Sequence, residues 1–538
     1  MRTHSTDVVI IGAGLAGLVT AAEAVARGRH VMIIDQEPHR SIGGQAFWSF
    51  GGLLLIDTPE QRRLGIRDSY DLARGDWLHA AGFDRDTDEW GRKWADAYLG
   101  WAAGDMRGWL RERGVSFFPV VGHAERGPLV PGGYGNSVPR FHIVWGTGPG
   151  IVAPFTRLVR AGVEEGLVTL RFRHRADALI FENDAVVGVR GTVLAEDLAI
   201  RGEASGRDVV DDFEIRAEST VVASGGIGGA IEQVREHWPE SLGAAPTDIV
   251  RGVPEHVDGR GVELARVGGA NVVNDDRMWH YTEGLKNWDP VWENHGIRIL
   301  PGPSSLWLDQ RGRRLPSPLY PGFDTLGTLE YLRRGGNDHS WFVLTKSIIE
   351  KEFTLSGSEQ NPDLTQKNVR LLANRILPGA PGPVQAFLDH GEDFIVADSL
   401  SQLLDRMEAL QGTVPGEGID RDAVAAAIAE RDLEINDPAS SDDQVRAIHA
   451  ARNFVGERLV RTAKPHRILD ERHWPLIAVK LHTLTRKTLG GIQTDLTSQA
   501  LRADGSSIPG LYAVGEAAGF GGGGVHGYRS LEGTFLGG

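Results

Sequence analysis

Near the end of the chain, four glycines at 521–524 lead through Val525 into His526, Tyr528 and Arg529. An imidazole, a phenol and a guanidinium within four residues can polarise a carbonyl oxygen and stabilise the charge that develops on it. Glycines ahead of them suit a place where backbone must pass a flat ligand with no Cβ in the way. The segment "RMWHYTEG" brings a second imidazole and phenol, His280 and Tyr281. None of these groups carries redox electrons, so only a redox reaction beside them would call for a bound cofactor.

The front of the chain supplies the means to hold one. In "TDVVIIGAGLAGLVTAAEAVARGRHVMIIDQE", residues 8–11 form a continuous apolar strand, followed by Gly12, Gly14 and Gly17. A helix to Ala26 and Gly28 come next, then a strand ending on Asp35 and Gln36. This is a βαβ unit with a G-x-G-x-x-G turn. Gly12 makes the turn, Gly14 admits a pyrophosphate, and Gly17 lets helix and strand pack closely. The helix N-terminus offers free N–H groups to phosphate, and Asp35 can accept from a ribose hydroxyl. The stretch "RSIGGQAFWSFGGLLL" adds Gly43, Gly44 and Gln45, then Gly51 and Gly52. A nicotinamide has no need of this second glycine-rich loop. A flavin does, because its ribityl chain and ring system lie against backbone.

Composition narrows the alternatives. A chain of 538 residues with 41% hydrophobic and 24% charged residues is a soluble globular protein of more than one lobe. The net charge of −15 argues against nucleic acid as partner. With no cysteine, disulfides, thiol nucleophiles and thiolate metal sites are excluded, and no metal site is expected. No apolar run reaches membrane length and no leader precedes the first strand, so a cytoplasmic protein is expected.

Further along, "VTLRFRHRADALIFENDAVVGVRGTVL" alternates as paired strands turning at 182–184. Another strand ends at Ala223 and runs into Ser224 and Gly225, and Asp258 with Gly259 heads a short helix. From about residue 280 tryptophans cluster, and amphipathic helices follow. After Arg461 strand patterns return, ending in "IPGLYAVGEAAGF" with Gly515 and Glu516. The expected class is α/β, a Rossmann-like nucleotide domain interrupted by an inserted α+β capping domain. Its parts are 1–279, the cap at 280–461, and 462–538.

Seven segments in this order, "VIIGAGLAGL", "GGQAFWSFGG", "VVASGGIGG", "VDGRGVELA", "KTLGGIQTD", "GLYAVGEAAG" and "VHGYRSLEGTFLGG", make the chain resemble the fumarate reductase/succinate dehydrogenase flavoproteins, which include the 3-ketosteroid Δ1-dehydrogenases. The resemblance implies an FAD domain and a capping domain with substrate held between them. By position it implies that Gly12, Ala13, Gly14, Ala16 and Gly17 cradle the pyrophosphate and Asp35 holds the adenosine ribose. Gly43, Gly44, Gln45 and Gly52 would approach the flavin, Ala223 and Gly225 lie along the cofactor, and Gly515, Glu516, Thr534 and Phe535 close the site. Gln36 and Asp258 are expected beside the cofactor as well. The residue before the second glycine loop, where covalent relatives carry histidine, is Ile42; FAD is therefore expected to be noncovalent, with His39 the nearest alternative anchor.

The departures are informative. Lys487 stands where fumarate reducers have a substrate-binding histidine, and the region of their proton-donating arginine reads "GRRLPSPLYPGFDT", which places no arginine there but puts Tyr320 near the position of a ketosteroid-dehydrogenase tyrosine. The expected function is FAD-dependent dehydrogenation of a CH–CH bond beside a carbonyl, on an apolar ketone such as a 3-ketosteroid. Arg529 and His526 would polarise the carbonyl, and Tyr320 or Lys487 would be the acid/base. The alternatives are a fumarate-reductase-like enzyme on a small dicarboxylate, a flavin monooxygenase using NADPH, and a non-catalytic FAD-binding subunit. The sequence names no electron acceptor.

Overall fold

The computed structural model describes residues 2–519 except 124–125, 127–134, 374, 376–378 and 413–417. Strand β1 (Arg2–Ile11) pairs in parallel with β2 (Val31–Asp35), Val8 opposite Val31 through Ile11 opposite Ile34. Helix α1 (Leu15–Val25) makes the crossover. On the other side β1 pairs in parallel with β3 (Val209–Val222), and β3 with the late strand β5 (Ser507–Ala513). The first and last parts of the chain therefore share one sheet. A parallel sheet must be covered on both faces. Here α1 and α2 (Thr147–Glu164) cover one, around Ile10, Leu18 and Phe155. Helix α3 (Arg260–Val267) covers the other, around Val9, Ile34 and Leu264. The hairpin His174–Glu182 and Ala185–Leu194 pairs onto β3; its turn residues Asn183 and Asp184 both have positive φ, as a two-residue hairpin turn needs.

A second sheet is built around β4 (Leu476–Thr488), flanked by His339–Thr345 and Met278–Lys286. Apolar clusters cover its two faces, with Trp307 in one and Trp341 in the other. This sheet runs across both boundaries expected from composition: Met278–Lys286 straddles 279/280, and β4 comes after 461/462. Composition marks where tryptophans and helices begin, but strand pairing is a long-range choice that it does not record. Among the described residues no helix is long and apolar enough to cross a membrane.

Two buried ionic networks brace these parts. Arg140 donates to both oxygens of Asp68 at 2.8 and 2.9 Å, to Asp76 at 2.6 Å and to Asn136 at 3.0 Å. It thereby ties the helix Tyr70–Ala81 to the strand Phe141–Val144. In the second sheet, the buried His482 sits between two carboxylates. Nε2 is 2.9 Å from Asp393 Oδ1, and Nδ1 is 3.3 Å from Asp248 Oδ2, an ion-pair distance without hydrogen-bond alignment. Burial works against the imidazolium, but the two carboxylates outweigh it and raise the His482 pKa. A raised folded-state pKa gives stability that is complete below the unfolded value and is lost as pH rises through the folded one. The melting-temperature gap between wild type and His482→Gln should therefore be widest below the ordinary histidine pKa of about 6.5 and shrink as pH rises above it. A gap that grows with pH would mean that the neutral ring is the stabilising form.

Candidate functional site

The β1–α1 turn is the centre of a groove of about 180 Å³. Gly12 has φ +112°, and a Cβ there would lie 2.6 Å from Ala223 O. At Gly17 a Cβ would lie 2.1 Å from Gly12 O, so α1 packs on the turn at backbone distance. The Ala13 amide donates to Asp35 Oδ2 at 2.7 Å, and Glu37 N donates to Oδ1 at 2.8 Å. These two bonds aim the carboxylate along the groove. Burial nevertheless pushes the Asp35 pKa up, against the pull of both amides.

The second glycine loop docks directly on the first. Gly43 N donates to Ala13 O at 2.8 Å, and the backbones of Gly14 and Gly43 bridge in parallel. The short 3-10 turn Gly44–Trp48 follows. Gln45 Nε2 donates to Glu516 Oε2, and Thr488 N donates to Glu516 Oε1 at 2.8 Å. Glu516 thus clamps the second glycine loop to the end of β4. Its carboxyl is raised by burial, with Thr488, Gln45 and the nearby Lys487 pulling the other way. On the remaining side Gln36 Nε2 reaches Asp258 Oδ2 at 3.1 Å, and Asp258 Oδ1 accepts from Arg260 N at the start of α3.

Of the residues expected at a cofactor, Gly12, Gly14, Ala16, Asp35, Gln36, Gly43, Gly44, Gln45, Ala223, Gly225, Asp258, Gly515 and Glu516 all line this one groove. Ala13 and Gly17 sit behind it and shape the turn. Gly52 does not line it; it lies in the small sheet, opposite Ile143. Ile42 lends its carbonyl to Arg201, and His39 is exposed, edge-on to Phe172 and off the groove.

The catalytic candidates divide. Lys487 lines the groove. Tyr320 does not: it is buried against Phe323, with ring centroids 4.9 Å apart, and Ala447. Burial pushes its phenol up, opposite to what a base at neutral pH needs. His280 is buried on Trp238, its centroid 5.1 Å away, and desolvation lowers its pKa to about 4. Tyr281 lies under the Arg298 guanidinium at 3.6 Å. His526, Arg529, Thr534 and Phe535 lie outside the described residues.

Sequence reasoning passed over His174, Arg175, His256 and Arg486, which also line the groove. The hairpin, the segment before α3 and β4 deliver them from far along the chain, and no local spacing announces them. Gln36 Oε1 and Ser224 Oγ are buried along the wall with no partner among the described residues, which fits a ligand rich in hydroxyls and phosphates. A glycine turn at a helix start, a second backbone wall and an acid at the end of β2 together fit a flavin dinucleotide. Among the described residues, no group of three or more His, Cys, Asp or Glu is placed to hold a metal.

Known proteins match this arrangement over almost the whole chain. The FAD binding domain family matches residues 7–536. A KsdD-like steroid dehydrogenase of Mycolicibacterium smegmatis is 60% identical over 530 residues, 98% of this chain and 96% of the relative. Another, from Mycobacterium tuberculosis, is 57% identical over 99% of this chain and 94% of its own. Among solved structures, the 3-ketosteroid Δ1-dehydrogenase of Sterolibacterium denitrificans superposes with a TM-score of 0.68 over 99% of this chain and 97% of that one, at 16% identity. At that identity the likeness shows the fold.

Proposed function

This chain belongs to the FAD binding domain family, with FAD as its cofactor, and from that premise we propose that it is a dehydrogenase removing two hydrogens across a CH–CH bond beside the carbonyl of a 3-ketosteroid. The observation that carries the reading is the groove. It joins residues from 11 to 516 into one continuous wall for a flavin dinucleotide, in a chain 60% identical to a KsdD-like steroid dehydrogenase.

In this reading the β1–α1 turn and the start of α1 hold the pyrophosphate, and Asp35 accepts from the adenosine ribose. Gly43, Gly44 and Gln45 keep backbone and one amide against the ring system, and Glu516 locks that loop in place. FAD, when bound, takes up the hydride leaving the substrate. Lys487 in the wall, with Arg529 and His526 beyond the described residues, would polarise the substrate carbonyl and acidify the neighbouring C–H. Reoxidation of the cofactor would fall to an external acceptor. The cytoplasmic location expected from the sequence belongs to the same proposal and is checked by cell fractionation.

The test is anaerobic. Purified yellow protein is mixed with 3-ketosteroids, small dicarboxylates and NADPH in separate syringes, and the flavin absorbance is followed. Bleaching by a ketosteroid alone is expected. Bleaching by NADPH alone would move the protein to the monooxygenases, and bleaching by succinate-type saturated acids only would move it to the dicarboxylate enzymes.

A further inference from the structure

The short helix Val455–Val460 is turned inside out. Its one carboxylate, Glu457, is 1% exposed, while Val455, Leu459 and Val460 face solvent, Leu459 at 59%. Glu457 is held inside by two donors: the His123 amide reaches Oε1 and Arg126 reaches Oε2, both at 3.1 Å. Those bonds fix the rotation of the helix, so its aliphatic side chains cannot turn inward. The helix Val369–Ala373 also faces aliphatics outward, with Val369 69% exposed and Leu371 exposed beside it. Single exposed aliphatics are ordinary; a set of them on two neighbouring helices, beside a buried carboxylate, is not.

The two helices bracket one strand, Phe117–Gly122. A Cβ on Gly456 would lie 3.4 Å from Val120 Cγ1, and Phe118 packs on the cluster of Phe50, Leu300 and Leu364 that also takes Leu372. Arg461, just past one helix, donates to Leu300 O at 3.0 Å, and the charge of Arg375, just past the other, bears on it. The charges around this face are of one sign. Lys367, Arg370 and Arg458 are exposed, and their side chains have no ion-pair or hydrogen-bond partner among the described residues. Lys351 Nζ donates to Leu459 O at the same edge. Neither helix exposes an acid. Nearby Glu352 is buried, and Asp363 is taken by Arg375 at 2.8 Å. In a chain with 72 acidic against 57 basic residues, this is a local reversal of charge.

We propose that the face formed by these two helices docks on the surface of an anionic phospholipid bilayer. Aliphatic side chains set among unpaired cations match such a surface: the chains enter the acyl boundary and the cations meet phosphate. A second copy of the chain matches the face less well, because a two-fold contact would set the same cations against each other. The face lies over the cluster of Phe50, which follows Ser49 of the groove wall. On the ketosteroid reading above, an apolar substrate dissolved in the bilayer would meet the protein on this side; the docking itself does not depend on that reading.

The test is cosedimentation of holoprotein with vesicles of phosphatidylcholine alone and of an equal mixture with phosphatidylglycerol. Binding to the mixed vesicles is expected, weaker on phosphatidylcholine alone and falling as salt rises. Arg370→Gln and Arg458→Gln should each weaken it about fivefold, and Leu459→Ser about tenfold. Val267→Ser, which alters an exposed aliphatic at the end of α3, should change nothing. Flavin absorbance and melting temperature as in wild type show that each variant is folded. No binding to the mixed vesicles overturns the proposal, as does equal binding to both vesicle types or binding that Leu459→Ser and the arginine variants retain in full. A dimer that Leu459→Ser breaks, with vesicle binding unaltered, also overturns it and makes a second copy the occupant.

Discussion

Gly17→Val is expected to fold and to elute from gel filtration without its yellow colour. The added Cβ would lie 2.1 Å from Gly12 O, well inside contact distance, and the obstacle is backbone that no rotamer change can move. Helix α1 must back away from the turn, which carries its N-terminal amides away from the pyrophosphate and loosens the turn itself. Overpacking of this kind costs about 1–3 kcal/mol, or roughly 10–100-fold in FAD affinity when the strain falls on the bound geometry. Fluorescence titration of apoprotein with FAD measures the loss, and far-UV circular dichroism separates it from unfolding. Gly75→Ala is the control: it lies in the helix Tyr70–Ala81, where an added Cβ would meet no atom within 4 Å, and should leave affinity unchanged. FAD retention at wild-type affinity in Gly17→Val would remove the β1–α1 turn from the cofactor site.

The second large effect concerns stability. Arg140→Ala is expected to cost about 3–5 kcal/mol, because it leaves the carboxylates of Asp68 and Asp76 without their cation. The Asp68 side chain is 0% exposed and that of Arg140 is 1% exposed, so water cannot step in at either end. Equilibrium urea unfolding reads the loss as a lower midpoint at constant slope. Asp68→Ala with Arg140→Ala should cost less than the sum of the singles, since the double variant buries no orphaned charge from that pair. Full additivity would show that the network is held by its neighbours rather than by the ion pair.

Much of the nucleotide half could be read from the sequence, for a physical reason. A dinucleotide turn requires Gly12, Gly14 and Gly17 at fixed spacing between a buried strand and a helix, and it requires Asp35 at the end of the next strand. Those constraints are local, so they survive as a string of residues. Glu516 and Lys487 came through resemblance, and the structure brings both to the same groove. Other parts were not legible. Arg175 and His174 reach the groove because a hairpin folds back on β3, and Arg486 because β4 ends at the cofactor wall. Tyr320 matched a position in a motif, yet packing against Phe323 and Ala447 took it out of the groove.

Strand β4 has a mechanical consequence. Strand β4 pairs within the second sheet along its length, and its Arg486 and Lys487 also line the cofactor groove. The second sheet and the cofactor groove thus share one uninterrupted length of backbone. A tilt of that sheet would therefore shift the two cations in the groove wall. Such a shift would change the positive charge presented to the groove wall.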